Sequence, residues 1–394
     1  MNTYDGNCAL HISLEGRIDT NSAPIWEKDI IDVINKTLEK EIIFDAEKLA
    51  YISSAGLRVL VKFCKLFDYK PKLINVSREV YDIFETTGFT ELFDIRKKLR
   101  EISIRDCEKL AEGGNGAVYR LDEDKIVKVY KPWMTFEEIE RERNFARTAF
   151  INGIPSVIAY DTVRVGDCYG VVFEMLHSDT LGHAMRDNPD KLDEYVSQHV
   201  ALAKTLHSTH VPKGSFSRIQ DVYHGMIDNL GKWCSEDEIK ILRGIVDSIP
   251  EADTVTHNDL HPGNIMIQDG ELVLIDMPEV TVGPPICDLV AIFRDMISAP
   301  KSNSGIIEKS VGMDSDLILK AGNLFFEKYT GIKDPAELNV YLQKLGLLYA
   351  FNVTLVPGSK SERAVEMGDH IMNNLLRPVV IPNEQAIKAL FSTI

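Results

Sequence analysis

Residues 256–267 read Thr-His-Asn-Asp-Leu-His-Pro-Gly-Asn-Ile-Met-Ile, and Asp276 follows twelve residues after Asn264. No other stretch restricts the fold as strongly. Two apolar runs, Ile265–Ile267 and Leu272–Ile275, flank Asp269-Gly270. Asp-Gly between apolar runs favours a two-residue hairpin turn, which needs left-handed backbone. The chain is therefore expected to place the end of the loop and Asp276 on neighbouring strands. The residue types then carry a chemistry. Asp259 can accept the proton of an attacking hydroxyl. Asn264 and Asp276 supply oxygen ligands, which Mg²⁺ prefers, against a phosphate chain. His257 is expected to support the loop, and His261 to pack within it.

Upstream features fit the same chemistry. Ala111-Glu112-Gly113-Gly114-Asn115-Gly116-Ala117-Val118-Tyr119 lies between candidate strands. Gly113, Gly114 and Gly116 suit either a plain hairpin or a backbone cradle for phosphate oxygens. The Gly-Lys-Ser/Thr of a Walker A loop is absent. Lys128 sits inside the apolar strand pattern Ile126-Val127-Lys128-Val129-Tyr130. It reads either as an outward strand residue or as a lysine aimed at nucleotide phosphates. A helix pattern follows, with Phe136, Ile139, Phe145, Ala146 and Ala149 on its apolar side. It carries Glu138, Glu140 and Glu142. Glu142 is the expected partner of Lys128, and the other two fit a solvated face.

Together these residues resemble the aminoglycoside phosphotransferase and choline kinase group, a branch of the protein-kinase-like fold. The resemblance spans roughly 103–380. It implies an α+β, two-lobed domain over 103–394, with an N-lobe to about 176 and a C-lobe from about 177. It implies that Asp259 is the catalytic base and that Asn264 and Asp276 are metal ligands. Lys128 becomes the phosphate lysine with Glu142 as partner, and Asp288 a structural brace for the catalytic loop beside His257. Phe173-Glu174-Met175-Leu176 resembles the hinge that meets the nucleotide base, so Glu174 and Met175 join the nucleotide-binding set. Three features depart from the pattern. Asn258 stands where the group usually has Gly. Ala111 replaces the first loop Gly of eukaryotic protein kinases, and Asp276 is followed by Met-Pro rather than Phe-Gly. These departures, with no Ala-Pro-Glu segment, favour a small-molecule acceptor over a protein. The helical stretch Leu317–Leu355 is rich in aromatics and does not identify that acceptor.

The first hundred residues have a different texture. Strand patterns at Ala9–Leu14, Glu41–Asp45 and Lys72–Val76 alternate with helix patterns at Ile25–Leu38, Leu57–Cys64 and Val80–Thr86, as in a small α/β domain. Between Asp45 and Arg58 a strand is expected to end at Asp45, a turn to follow, and a helix to start at Ser53 or Ser54. Ser there is a natural N-cap, and a phosphate on it would sit at the positive helix end. This segment resembles the STAS domain of bacterial anti-sigma factor antagonists, over roughly 6–100. In that family the Ser immediately before the Gly is the phosphorylation switch. Here Ala55 precedes Gly56, which leaves Ser54 next door as the possible phosphoacceptor. Arg96-Lys97-Lys98 and Arg100 mark a link, so the domains are expected at 1–100 and 103–394.

Composition excludes several classes. The net charge is −16, and residues 1–100 contribute almost none of it, with 15 basic against 16 acidic side chains. An acidic chain is poorly suited to nucleic acid or anionic lipid, so neither partner is expected. Six cysteines without Cys-x-x-Cys spacing argue against a zinc site or a disulfide framework. No secretory leader or spanning apolar run is seen, so a bacterial cytoplasmic address is expected. The leading expectation is Mg²⁺-dependent transfer of the γ-phosphate of ATP or GTP to a hydroxyl of a small molecule. The alternative is a regulator that binds an anti-sigma-type protein while its kinase-like domain senses nucleotide. A third joins them, with the catalytic domain modifying a protein partner or its own STAS domain.

Overall fold

The structure is a computed structural model and describes residues 3–4, 10–34, 41–302, 304–359 and 366–393. The chain divides into two compact units, Met1–Ile102 and Ser103–Ile394. Among the described residues no helix is long and apolar enough to cross a membrane.

The first unit is built on β1 (Thr3–Tyr4), β2 (Leu10–Ile18), α1 (Ala23–Ile34), β3 (Ile42–Ile52), α2 (Ser54–Cys64), β4 (Lys72–Val76), α3 (Arg78–Thr86) and β5 (Asp94–Lys97). The sheet order is β1-β2-β3-β4-β5, parallel from β2 onward. Alternation sets the buried face: Leu10, Ile12, Leu14 and Ile18 of β2 meet Phe44, Leu49 and Ile52 of β3. Leu60 and Phe63 of α2 and Phe84 of α3 close over them. Cys8, Ala9 and the expected helix end at Leu38 lie outside the described residues.

One expectation needs correction. The strand expected to end at Asp45 continues to Ile52, paired in parallel with β2 through register shifts near Glu15 and Gly16. Its exposed Glu47, Lys48 and Ala50 hid the strand in the sequence, while Ala46, Leu49 and Ile52 keep it in the core. Helix α2 then starts without an intervening turn. Ser53 is its N-cap, and its hydroxyl accepts from the Ala55 and Gly56 amides. Ser54 is the first helical residue and is exposed. A Cβ on Gly56 would lie 2.7 Å from Ile18 and 2.8 Å from Ile52, so the helix start rests directly on the sheet.

After a short strand β6 (Arg100–Glu101), the second unit opens with an antiparallel sheet. Its strands are β7 (Lys109–Glu112), β8 (Gly116–Arg120), β9 (Lys125–Tyr130), β10 (Ala159–Val165) and β11 (Cys168–Glu174), in the order β10-β11-β9-β8-β7. Helix α4 (Phe136–Ile151) lies between β9 and β10 in sequence and packs on β10 and β11. It begins with a capping box in which Thr135 and Glu138 satisfy each other's backbone amides.

The rest is mainly helical: α5 (Leu181–Asp187), α6 (Leu192–Ser208), α7 (Ile219–Asp228), α8 (Glu236–Val246), α9 (Pro285–Phe293), α10 (Ala299–Ser302), α11 (Ser304–Val311), α12 (Ser315–Thr330) and α13 (Pro335–Leu355). Gly331, at φ 77°, ends α12 in left-handed backbone and divides the long aromatic stretch into two helices. Leu206, Phe325, Phe326, Leu345 and Phe351 fill the core between them. Into this scaffold are set the short strand β12 (Val255–Thr256) and the hairpin of β13 (Ile265–Gln268) with β14 (Glu271–Leu274), followed by β15 (Thr281–Val282), which pairs with β12. The hairpin turns at Asp269 and Gly270, φ 52° and 85°, which is the left-handed pair that Asp-Gly called for.

Candidate active site

A cleft of about 610 Å³ lies within the second unit. Its walls include Gly113, Gly114 and Gly116 from the β7–β8 turn, Lys128, Glu142, the segment Phe173–Leu176, Asn264 and Asp276. Residues far apart in sequence thus share one cavity.

Lys128 is the pivot. Its Nζ lies 2.7 Å from Glu142 Oε1 and 2.8 Å from Asp276 Oδ1. Glu142, only 4% exposed as a side chain, faces inward from α4. Glu138 caps its own helix, and Glu140 bonds Thr162 and pairs with Arg143. Burial opposes charge on Lys128, but the Asp276 and Glu142 carboxylates outweigh it and hold the ammonium above its usual range. Burial likewise opposes charge on Asp276, and Lys128 wins again, keeping that carboxyl below its ordinary value. For Glu142, burial wins and the shift is upward. Asp276 is therefore the readily ionised oxygen donor of this trio.

The glycine stretch divides into two kinds of position. A Cβ on Gly116 would lie 2.4 Å from the Val129 carbonyl oxygen, so strand packing alone requires glycine there. Gly113 and Gly114 have open space around them, and the Gly113 amide closes the turn onto the Gly116 carbonyl at 2.8 Å. Bare backbone at 113–114 is what a close phosphate approach needs.

The hinge residues line the cleft, but two of their amides are engaged inside the protein. The Glu174 amide donates to the Ile158 carbonyl, and its Oε1 accepts from the Ile158 amide at 2.7 Å. The Met175 amide donates to Asp124 at 2.8 Å. Among the described residues the next amide, Leu176, donates to no protein acceptor.

The loop carrying Asp259 hangs from a buried carboxylate. Asp288, on α9, accepts from the His257 amide at 3.0 Å and the Asn258 amide at 2.8 Å. His207 Nε2 lies 3.1 Å from the same carboxylate, and His207 Nδ1 is 2.7 Å from the Tyr329 hydroxyl. Burial works against the Asp288 charge, yet the His207 hydrogen bond and neighbouring histidines keep its carboxyl below the usual range. His257 is fully buried, and burial pushes its imidazole down, so it stays neutral. Its ring nitrogens have no hydrogen-bond partner among the described residues. His261 packs within the loop, its Nδ1 accepting from the Gly263 amide.

Asn258 explains its own departure from Gly. Its φ is 63°, a left-handed value that Asn tolerates better than most residues. Its Nδ2 donates to the Glu279 carbonyl at 2.8 Å and the Thr281 hydroxyl at 2.9 Å. The side chain thereby ties the Asp259 loop to the segment after Asp276, a link that Gly could not make.

Asp259 is held at both oxygens. Asn264 Nδ2 donates to Oδ2, and Arg294 Nη2 donates to Oδ1, each at 2.7 Å. With its amide nitrogen turned to Asp259, Asn264 leaves its carbonyl oxygen for a cation. One amide oxygen and the Asp276 carboxylate would then be offered to Mg²⁺, a hard-oxygen set that fits that ion's habits. No group of three or more His, Cys, Asp or Glu side chains suited to a metal occurs among the described residues. The sequence reading missed Arg294, Asp295, His207 and Tyr329. An Arg-Asp pair six residues after Asp288 was the available signal for the first two.

Comparison with known proteins agrees with both halves. The model of the phosphotransferase enzyme family matches residues 106–307, and that of the STAS domain matches residues 1–102. The chain belongs to the phosphotransferase enzyme family and carries an N-terminal STAS domain. Its first part is 31% identical over 98 residues to the proposed anti-sigma factor antagonist BtrV of Bordetella bronchiseptica, covering 24% of this chain and 82% of that one. It is 27% identical over 92 residues to the anti-sigma-B factor antagonist of Bacillus subtilis, covering 23% and 83%. Similar solved structures include the ADP-bound aminoglycoside phosphotransferase APH(2'')-Ib, with TM-score 0.45, 16% identity, and coverage of 75% of this chain and 96% of that one. A choline/ethanolamine kinase family protein from Mesorhizobium loti has TM-score 0.42, 13% identity, and coverage of 72% and 92%.

Proposed function

We propose that the cleft transfers the γ-phosphate of ATP or GTP, bound with Mg²⁺, to the hydroxyl of a small molecule. The observation carrying this reading is the convergence of Lys128, Glu142 and Asp276 at 2.7–2.8 Å in the cavity whose wall includes Asn264, the partner of Asp259. Lys128 neutralises the phosphate chain while Glu142 fixes its position. The backbone of Gly113 and Gly114 covers the phosphates, and the open Leu176 amide addresses the base edge. Asn264 and Asp276 would hold Mg²⁺, which supplies charge neutralisation on the transferred group. Asp259 accepts the proton of the attacking hydroxyl. Catalysis of this kind rests on positioning and electrostatics rather than on a covalent intermediate.

The STAS domain adds a second role, recognition of a protein partner. Its relatives are anti-sigma factor antagonists, which favours an anti-sigma-type partner. The family acceptor position is Ala55, so recognition proceeds mainly without phosphorylation. Ser53 is engaged as a cap while Ser54 is exposed, which makes Ser54 the acceptor if the domain is modified at all.

The test is nucleotide consumption by the whole chain with Mg²⁺, offered aminoglycosides, amino alcohols, sugars and purified STAS domain in parallel. Acceptor-dependent ADP or GDP formation with a small molecule is expected. Turnover only with the STAS domain would replace the small-molecule reading with self-modification. No consumption with any acceptor, together with nucleotide binding, would favour the sensing regulator.

A further inference from the structure

Arg294 stands where α9 gives way to a single π-helical turn, Arg294–Ser298. Such turns are rare and recur at functional sites. Neighbouring residues on a helix do not ordinarily face each other. Here Arg294 and Asp295 do: Nε donates to Asp295 Oδ1 and Nη2 to Asp295 Oδ2, both at 2.8 Å. Asp295 is buried, with a side chain 8% exposed, whereas those of Arg294 and Asp259 are 38% and 31% exposed. The guanidinium is thus anchored on the buried Asp295 carboxylate by two bonds. From there Nη2 reaches Asp259 Oδ1 at 2.7 Å and the Asn258 carbonyl at 3.4 Å.

We infer that Arg294 is a positioning residue for the base, setting the plane of the Asp259 carboxylate, with Asp295 as its anchor. The inference rests on the reading of Asp259 as the base. The terminal torsion of an aspartate is broad, so a single contact leaves its carboxylate free to swing. Arg294 on Oδ1 and Asn264 on Oδ2 fix both ends. Each oxygen of an ionised carboxylate has two acceptor sites, so one remains on each for a hydroxyl proton. Asn264 has a second duty toward the cation, and its amide can serve Asp259 only in one orientation. Arg294 has no such duty. It holds the base in register whether or not nucleotide and Mg²⁺ are present. Lysine cannot replace it fully, because one ammonium cannot grip Asp295 along two parallel bonds and still reach Asp259.

The experiment compares Arg294→Ala, Arg294→Lys and Asp259→Asn with the wild type, all as full chains. ADP formation from Mg²⁺-ATP is measured with water and the hydroxyl panel as acceptors, and Mg²⁺-ATP affinity is measured separately. Arg294→Ala is expected to lower kcat by about 10²-fold, the scale of an ångström-sized misplacement, with the KM for ATP nearly unchanged. Millimolar guanidinium should restore part of that loss in Arg294→Ala and none in Asp259→Asn. Arg294→Lys should fall between. Crystal structures provide a readout independent of turnover: in Arg294→Ala the Asp259 carboxylate should leave the Asn264 amide, and in Arg294→Lys it should stay. Wild-type turnover in Arg294→Ala beside an inactive Asp259→Asn overturns this inference alone. Wild-type turnover in Asp259→Asn overturns the reading beneath it. An Asp259 that keeps its place without Arg294, or a loss that guanidinium cannot restore, assigns Arg294 a merely structural role.

Discussion

The two units bury different things. Leu10 to Phe93 form an apolar core, and no polar or charged side chain is fully buried among the described residues before Ser103. The second unit buries Glu142, His199, His207, His257, Asp288 and Asp295. Burying such groups is costly unless they are paired. That cost is met where a loop must be held in a strained, reactive geometry: both Asn258 and Asp276 have positive φ. A domain with the proposed role of recognising a partner through its surface needs only a rigid apolar body. A phosphotransferase must fix charges before its substrates arrive, and the same groups make it vulnerable to substitution and acid.

The largest effect should come from Asp259→Asn, which keeps shape and removes the proposed proton acceptor. Turnover should fall by roughly 10²–10⁴-fold with nucleotide binding nearly intact, as read by ADP formation and titration calorimetry. No substitution confined to 1–102 should approach that loss.

Asp288→Ala should be next. It leaves the His257 and Asn258 amides and His207 without their shared acceptor. Breaking a buried pair in this way costs about 3–5 kcal/mol, checked by denaturant unfolding of the 103–394 transition.

Acid should separate the units as well. Burial lowers the His199 pKa to about 4 from an ordinary 6.5, while its Nε2 donates to the Leu260 carbonyl. Between those values the unfolded chain binds a proton that the fold refuses. The stability is therefore fully present above pH 6.5 and drains away as pH falls toward 4, by about 3 kcal/mol. Thermal unfolding across that range should show the loss in the second unit, and His199→Gln should remove most of it.

The smallest effect belongs to the STAS domain. Ser53→Ala removes the N-cap of α2 and should cost that unit about 1 kcal/mol, leaving turnover in the cleft untouched. A fall in ADP formation with this substitution would break the proposed division between a recognising unit and a catalysing one.

What could be read in advance follows from how far each constraint reaches along the chain. The loop from His257 to Asn264, with Asp276 on the next strand, was legible because its chemistry fixes residue types within twenty residues of each other. The hairpin turn was legible because Asp269 and Gly270 answer a local backbone demand. Glu142 was picked from three glutamates, and Lys128 reaches it rather than Glu138 or Glu140. Strand β3 was read too short because Glu47, Lys48 and Ala50 face outward and break the apolar run. Arg294 lies 35 residues from Asp259, and Tyr329 lies 122 from His207. Such pairings depend on tertiary packing and have no local pattern. Gly116 suited either a hairpin or a phosphate cradle, and the packing requirement on it, a Val129 carbonyl too close for any Cβ, lies on the neighbouring strand, out of reach of the local pattern.

The most direct test of the central claim is calorimetric titration of ATP into the wild type and Asp276→Ala, each with Mg²⁺ and with EDTA. Wild-type binding should be tightened strongly by Mg²⁺, and Asp276→Ala should lose that gain while retaining the weak metal-free affinity. Equal affinities with and without Mg²⁺ in the wild type, or an unchanged Mg²⁺ gain in Asp276→Ala, would contradict a metal-assisted phosphotransfer site between Lys128 and Asn264.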